Sequence, residues 1–374
     1  MINNHEFWWR YFPKKELMQF YISLAVRTLA ISLLGIFVPL YLYAEMGYSM
    51  EQTLLLFMAY SVVFAISTPA AAKFSARYGA KHSVLLSVPF YLAFVGLLYS
   101  LPYYKIPLMV IGSLLGLSQA FYWIGMHLVF NHASNHKHRG EECGKRASAS
   151  VAAGTLGPFL GGLLIVTLGF KVVFLTAAAL LFFSALILFR SKEEHVPYHF
   201  SVRSVVDRRF WRNSLFYVSR GTRVMADGVI WPLFIFVILD SYLSLGIVSS
   251  ILSGLSAVLL YFTGKYSDGW DKRKFVRLVS IFESLACIFR GFVSTVGQIY
   301  GATIFAALAT GIREAPLEAM EYDKARDLGA AYFVNREIFI CLGRILMLTF
   351  VLMANSLSGG LVFQAFANLA VLLF

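Results

Sequence analysis

Arg223 and Asp227 stand four residues apart in a run that is otherwise mostly apolar. A helix places residues at that spacing on one face, where a guanidinium and a carboxylate neutralise each other. Glu314 and Glu318 repeat the spacing, and Pro316 between them bends the helix. Arg313 precedes Glu314, but adjacent residues point about 100° apart, so Glu314 is expected to be the freer of the two candidate proton carriers, Asp227 and Glu314. Arg27 lies alone in an apolar run, and Gln119, Trp123 and His127 recur every four residues with Tyr122 beside them. These residues suit binding of a small solute and movement of a proton, with Arg27 and Arg223 favouring an anion. Packing gives each a blander alternative: Tyr122 and Trp123 as ordinary aromatics, His127 as an interhelical hydrogen bonder.

Such residues need a frame, and the composition specifies which kind. The chain has 374 residues, 59% hydrophobic and only 14% charged, where a soluble domain carries about 25% charge. A polytopic membrane protein remains, with room for about twelve spans of roughly 20 residues. Apolar segments fall at 17–44, 53–72, 83–101, 107–131, 147–168, 172–189, 213–239, 245–266, 276–295, 299–320, 330–354 and 356–374. They are too long and too uniformly apolar for the alternating strands of a membrane β-barrel.

The net charge of +12 reads as topology, because Lys and Arg collect on cytoplasmic connections. With the N-terminus inside, twenty-three Lys and Arg fall on inside connections and only Lys105 and Lys171 on outside ones. The remaining seven, all Arg, lie within spans. A multi-pass cell-membrane protein with a cytoplasmic N-terminus follows as the expectation, its first residues an interfacial lead-in and not a removable signal. At the other end the chain stops at Phe374 without a basic tail. It either finishes at the membrane face or lacks a tail, and both readings stay open.

The halves repeat. Phe20 to Arg27 aligns with Phe216 to Arg223, Lys73-Phe-Ser75 with Lys265-Tyr-Ser267, and Phe130 to Ala133 with Tyr322 to Ala325, at offsets of 196, 192 and 192. Tyr122 then corresponds to Glu314. A parallel repeat of two six-helix halves is a transporter architecture. The expected division is 1–190 for the first bundle, 191–212 for a cytoplasmic linker and 213–374 for the second bundle.

Two motifs carry a family resemblance. Gly264-Lys-Tyr-Ser-Asp268 with Lys272, Arg273 and Lys274 is similar to the loop motif between the second and third helices of each half in the major facilitator superfamily. The first copy keeps Arg77, Gly79 and Lys81 but has Ala72 and Ala76 where the family has Gly and Asp. Gly154, Gly157, Pro158, Gly161 and Gly162 resemble the fifth-helix signature of the family's antiporters, or form a packing face stripped of side chains. The resemblance implies an all-α, twelve-helix fold in two pseudo-symmetric bundles, with the first, fourth, seventh and tenth helices lining a central cavity. It implies gating by Asp268 with Arg273, and a weaker gate in the first half. On this reading Arg27, Gln119, Tyr122, Trp123, His127, Arg223, Asp227 and Glu314 form the substrate site.

The expected activity is alternating-access transport of a small organic solute, proton-coupled and exporting. Uptake of a polar solute such as a sugar or organic anion is the second reading, and a transporter-like receptor or scaffold the third. Glu283, Arg290, Glu318 and Arg336 are left outside the site, the last two as snorkelling groups. His132, His136, His138, Glu141, Glu142 and Cys143 crowd one connection, but their spacing fits no closed metal site. There is no HExxH, GxSxG or phosphate-binding loop, so neither catalysis nor a cofactor is expected. The expected partners are the solute, protons and the lipid bilayer; nucleic acid is not one, and the working unit is a monomer.

Overall fold

A computed structural model describes residues 15–133, 139–189, 211–266 and 271–373. Side chains are described for all of these except 15–18, 20, 131–133, 139–149, 151–153, 264–266, 272 and 326–328. Among the described residues twelve membrane-scale helices emerge, and each apolar segment becomes one. The first, α1, is Lys15–Leu34, prolonged through Gly35–Phe37, Val38–Leu40 and a wide turn at Tyr41–Glu45. It is followed by α2 (Met50–Tyr78), α3 (Ala80–Ser100), α4 (Leu108–Ala133), α5 (Arg139–Leu168) and α6 (Phe170–Phe189). The second half has α7 (Trp211–Met225, prolonged through a wide turn at Ala226–Ile230 and Trp231–Leu239), α8 (Tyr242–Tyr266) and α9 (Lys272–Gly291). It ends with α10 (Val296–Leu328), α11 (Ala330–Ala354) and α12 (Leu357–Asn368, finishing as Leu369–Leu373).

Several helices outrun their apolar runs at the end where the Lys- and Arg-rich connections lie, here the basic end, because a backbone that keeps its internal hydrogen bonds can leave the apolar layer still helical. Eight of the twelve are long and apolar enough to cross a membrane on that ground alone. The other four are α5, α9, α10 and α12. Charges interrupt α9 and α10, and the apolar parts of α5 and α12 are short: Gly154–Leu168 and Leu357–Leu373.

Local chemistry sets the ends and bends. Ser49 and Thr295 form capping boxes with Gln52 and Gln298 at the starts of α2 and α10. Gly79 joins α2 to α3 at φ 101°, a conformation that a side chain disfavours. Pro232 has no N–H to close the α7 ladder, and the helix widens immediately before it, at Ala226–Ile230. That wide turn carries Asp227, so it changes the direction in which its carboxylate leaves the helix.

The helices pack as two bundles with matching seams. In one half α1 packs on α5 and α2 on α4; in the other, α7 packs on α11 and α8 on α10. Between the halves α5 lies along α8, and α2 along α11, and exchanging the halves interchanges these two seams. The repeat axis shows in one contact: Phe130 and Tyr322, equivalent positions of α4 and α10, touch with ring centroids 4.8 Å apart. Equivalent residues can meet only where the axis passes between them.

The glycines of α5 do not form the single bare face expected of them. A Cβ on Gly157 or Gly161 would stand 1.9 Å from Ser32 Oγ or 2.1 Å from the Leu33 carbonyl oxygen, both on α1. On Gly162 it would stand 2.6 Å from the carbonyl oxygen of Tyr242, on α8. Adjacent residues diverge by about 100°, so the run serves two neighbours, one within its own bundle and one across the seam. Pro158 lies in the cross-half contact, its carbonyl oxygen 2.3 Å from where a Cβ on Gly246 would be.

The closest approach is α7 on α11, where Gly343 would put a Cβ 1.9 Å from the Val218 carbonyl oxygen, and Gly221 a Cβ 1.9 Å from that of Ile340. Both obstacles are backbone, so neither can rotate away. Gly343→Val is therefore expected to destabilise by about 3 kcal/mol or more, read as a lower thermal unfolding midpoint in detergent. A midpoint equal to wild type would show that the helices are not this close.

Candidate functional site

A cavity of about 650 Å³ lies between the halves. Its first-half wall, from α1, α2 and α5, is apolar or hydroxylic: Thr28, Ile31, Ser32, Ile36, Phe57, Tyr60, Gly154 and Pro158. Its second-half wall carries the ionic groups Arg220, Arg223, Asp227 and Glu314, with Trp231 beside them. Of the expected substrate residues, Arg223, Asp227 and Glu314 line the cavity. Arg27, Gln119, Tyr122, Trp123 and His127 stand behind or beyond the wall, and α4 is not among the helices that line it.

The second-half ions form one connected chain. Arg290 Nη1 donates to Asp227 at 2.6 Å, and Arg223 Nε reaches Asp227 at 3.4 Å and Glu283 at 3.1 Å. Arg313 pairs with Glu283 and donates to Glu314 at 3.1 Å. Glu314 also accepts from Arg223, and from Arg220 at 3.1 Å. Arg220 then pairs with Glu321 at 2.5 Å, Glu321 with Arg336 at 2.9 Å, and Arg336 with Glu337. Five guanidiniums thus alternate with five carboxylates. Asn368 of α12 accepts from Arg313 at 3.0 Å and donates to the Ser280 carbonyl at 2.9 Å.

The expectation that Glu314 is freer than Asp227 is reversed. Three guanidiniums reach Glu314 and two reach Asp227, whose side chain is 34% exposed against 14% for Glu314. Backbone direction separates Arg313 from Glu314, but an arginine side chain is long enough to curl back to its neighbour. Glu283, Arg290 and Arg336, left out of the site above, belong to the chain. Arg336 does not snorkel: it is 6% exposed and bonded on both sides.

The chain ends on the other half. Arg336 Nη1 lies 3.0 Å from His127 Nε2, and His127 Nδ1 lies 2.8 Å from the Tyr322 hydroxyl. A guanidinium only donates, so toward Arg336 a neutral His127 accepts at Nε2 and carries its proton on Nδ1, facing Tyr322; a doubly protonated ring would instead pair with Glu337, 3.5 Å from Nε2. The ring stacks on Trp123 at 5.5 Å and on Phe333 at 4.8 Å. His127 is thus a bridge between halves, toward the basic end. At the opposite end the Tyr242 hydroxyl donates to Glu45 at 2.8 Å, beside a cluster of Phe37, Tyr41 and Phe170. On the seam of α2 and α11, Arg344 donates to the Tyr60 hydroxyl at 2.6 Å.

A family model described as the Major Facilitator Superfamily matches residues 20–371. The chain belongs to that superfamily. Uncharacterized protein YqgE of Bacillus subtilis is 24% identical over 338 residues, which covers 85% of this chain and 77% of that one. Among solved structures, the human organic anion transporter MFSD10 (TETRAN) superposes with a TM-score of 0.70 at 13% identity, covering 96% of this chain and 98% of that one. A bacterial homologue of the iron transporter ferroportin, in an outward-facing state, gives a TM-score of 0.71 at 11% identity, over 96% and 97%. At such identities the likeness is one of fold.

The superfamily loop motifs are only partly in view. Gly264 has no described side-chain surroundings, and Asp268 falls outside the described residues, as do the side chains of the His132–Cys143 cluster. In the first copy Arg77 lies over the Tyr78 ring at 5.2 Å, and Lys81 reaches the Phe189 carbonyl at the C-terminus of α6, 3.5 Å away, where a helix dipole favours a cation. In the second copy Arg273 is exposed. Asp271 caps α9: it accepts from the Lys274 N–H at 3.3 Å, a bond that holds its carboxyl below the usual range.

The residues passed over had a readable signal. Ser280, Glu283, Ser284, Cys287 and Arg290 form a polar stripe on α9 at helical spacing, and Arg220 lies one turn before Arg223. Glu321 follows Glu314 by seven, two turns along the same face.

A buried chain of ions tolerates loss of a partner poorly. Glu283→Gln is expected to destabilise by about 3–5 kcal/mol, since it leaves Arg313 and Arg223 short of a countercharge. Adding Arg313→Gln should recover much of that loss in thermal unfolding. A double variant no better than the single one would count against the pairing.

Proposed function

We propose that the chain is a secondary transporter of a small amphipathic organic solute, working by alternating access and driven by protons. The observation that carries this reading is the unbroken ion chain from Asp227 on the cavity wall to His127 of the opposite half. Intramembrane charges are expensive and are kept where they move something. The cavity volume suits a small organic molecule, and the walls divide the labour: an apolar face for the body of the solute, an ionic face for its polar group.

On this reading the basic end faces the cytoplasm and the membrane is the cell membrane. Asp227, the most exposed carboxylate of the chain, receives the proton. Arg223 and Arg290, released from it, shift toward Glu283 and Glu314. The re-pairing reaches Arg336 through Arg220 and Glu321, and the His127 bridge opens as the halves rock. Exchange of solute against protons then gives export. No bond is made or broken, so the role is transport and not catalysis.

Two measurements test this. In proteoliposomes loaded with small amphiphilic dyes, Asp227→Asn is expected to cut accumulation driven by a pH gradient at least tenfold while sparing solute exchange. Unchanged pH dependence would overturn the assignment. His127→Phe keeps the ring stacks but removes both polar contacts to the other half. In a background without native cysteines, it should speed maleimide labelling of Ser32→Cys from the basic end several-fold. Labelling at the wild-type rate would sink the gate.

A further inference from the structure

The repeat makes an Arg on the first helix of each half face a partner on the fourth. In the second half that pair is Arg223 and Glu314, an ion pair. In the first half it is Arg27 and Tyr122, and the structure joins these too: the Arg27 guanidinium carbon stands 3.9 Å from the Tyr122 ring centroid and 5.9 Å from that of Tyr91. Where one half has a carboxylate, the other has a phenol ring.

Arg27 is 2% exposed, and none of its three guanidinium nitrogens has a hydrogen-bond partner among the described residues. No carboxylate pairs with it among them. A guanidinium cannot shed its charge in a protein, and a ring face replaces only part of the lost hydration. All five arginines of the second-half chain have carboxylates, and Arg344 has at least a hydroxyl. Among the described residues, Arg27 alone of the seven arginines in the spans stands with its hydrogen-bonding fork unused.

Its position gives that fork a use. Arg27 adjoins Thr28 and precedes Ile31 by one helical turn, and both line the cavity. It lies on the basic-end side of both, the side on which the His127 bridge holds the halves together. We propose that Arg27 is the recognition site for an anionic group, a carboxylate or sulfonate on an otherwise apolar solute, reached when that bridge opens. The proposal rests on the transport reading and narrows its substrate to organic anions. The planar fork matches an oxyanion in two parallel hydrogen bonds, and Ile31, Ile36 and Phe57 offer the apolar remainder a wall. The positive charge that no described residue of the first half cancels is then cancelled by the cargo.

The test uses the detergent-purified full chain and its Arg27→Met and Arg27→Lys variants, with 1-naphthalenesulfonate as probe and 1-naphthylmethylammonium, chloride and sulfate as controls. The sulfonate is expected to raise the unfolding midpoint of wild type. Its affinity should fall at least tenfold in Arg27→Met and less in Arg27→Lys, while the cation is indifferent to both. Without ligand, Arg27→Met should unfold at or above the wild-type temperature, as removal of an unpartnered charge predicts. Equal sulfonate affinity in all three proteins overturns the proposal. So does an Arg27→Met protein that is less stable, is rescued by Lys and binds unchanged, because that is a structural cation–π contact. If sulfate or chloride stabilises as well as the sulfonate, and does so only with Arg27 present, the site takes a free ion and the solute assignment fails. Parallel exchange assays in proteoliposomes separate the two readings. Exchange of the sulfonate that persists unaltered in Arg27→Met removes the site and leaves the transporter. Arg27-dependent binding without exchange in wild type removes the transporter and leaves the site.

Discussion

Charge neutrality inside a medium that cannot solvate ions governs this structure. Five guanidiniums and five carboxylates sit among α7, α9, α10 and α11, and each is tolerable only because the next one touches it. Such pairs contribute little net stability compared with an apolar core, but they dictate arrangement. The polar stripe of α9 must face α7 and α10, and Asn368 of α12 must reach Arg313. Helices that hydropathy alone would rank poorly as spans are held in place by the ions that lower their rank.

The same constraint explains the asymmetry of two halves built on one plan. Packing repeats faithfully: α1 on α5 matches α7 on α11, and the two seams between halves exchange under the axis that passes between Phe130 and Tyr322. Charge does not repeat. The second half holds the ion chain; in the first, Arg27 is buried over a tyrosine ring, with no carboxylate paired to it among the described residues. One wall of the cavity is therefore ionic and the other apolar or hydroxylic.

Close approach is the second condition. The seams depend on glycines whose missing Cβ atoms let carbonyls of neighbouring helices come near, with no hydrophobic drive between helices in lipid to force them together. Glycines approach from both helices at the cross-half seam of α5 and α8, through Gly162 and Gly246, as they do within the second half at α7 on α11, through Gly221 and Gly343.

Composition and period were enough to determine the twelve spans, the two repeated halves and the candidate pairs at repeat spacing, because apolar length, basic connections and four-residue intervals are local properties. They singled out Arg223, Asp227 and Glu314, which line the cavity, and matched Arg27 to Tyr122 by offset alone. They misjudged Glu314, Glu283, Arg290 and Arg336, whose partners lie on other helices: Arg220 is 94 residues from Glu314, and His127 is 209 from Arg336. Whether a charge is free or held, whether a glycine serves one neighbour or two, and whether a histidine meets solute or the opposite half all depend on which helix arrives beside it. That is settled by packing across the chain, since a side chain of a few ångströms responds to its neighbours in space and not to its neighbours in sequence.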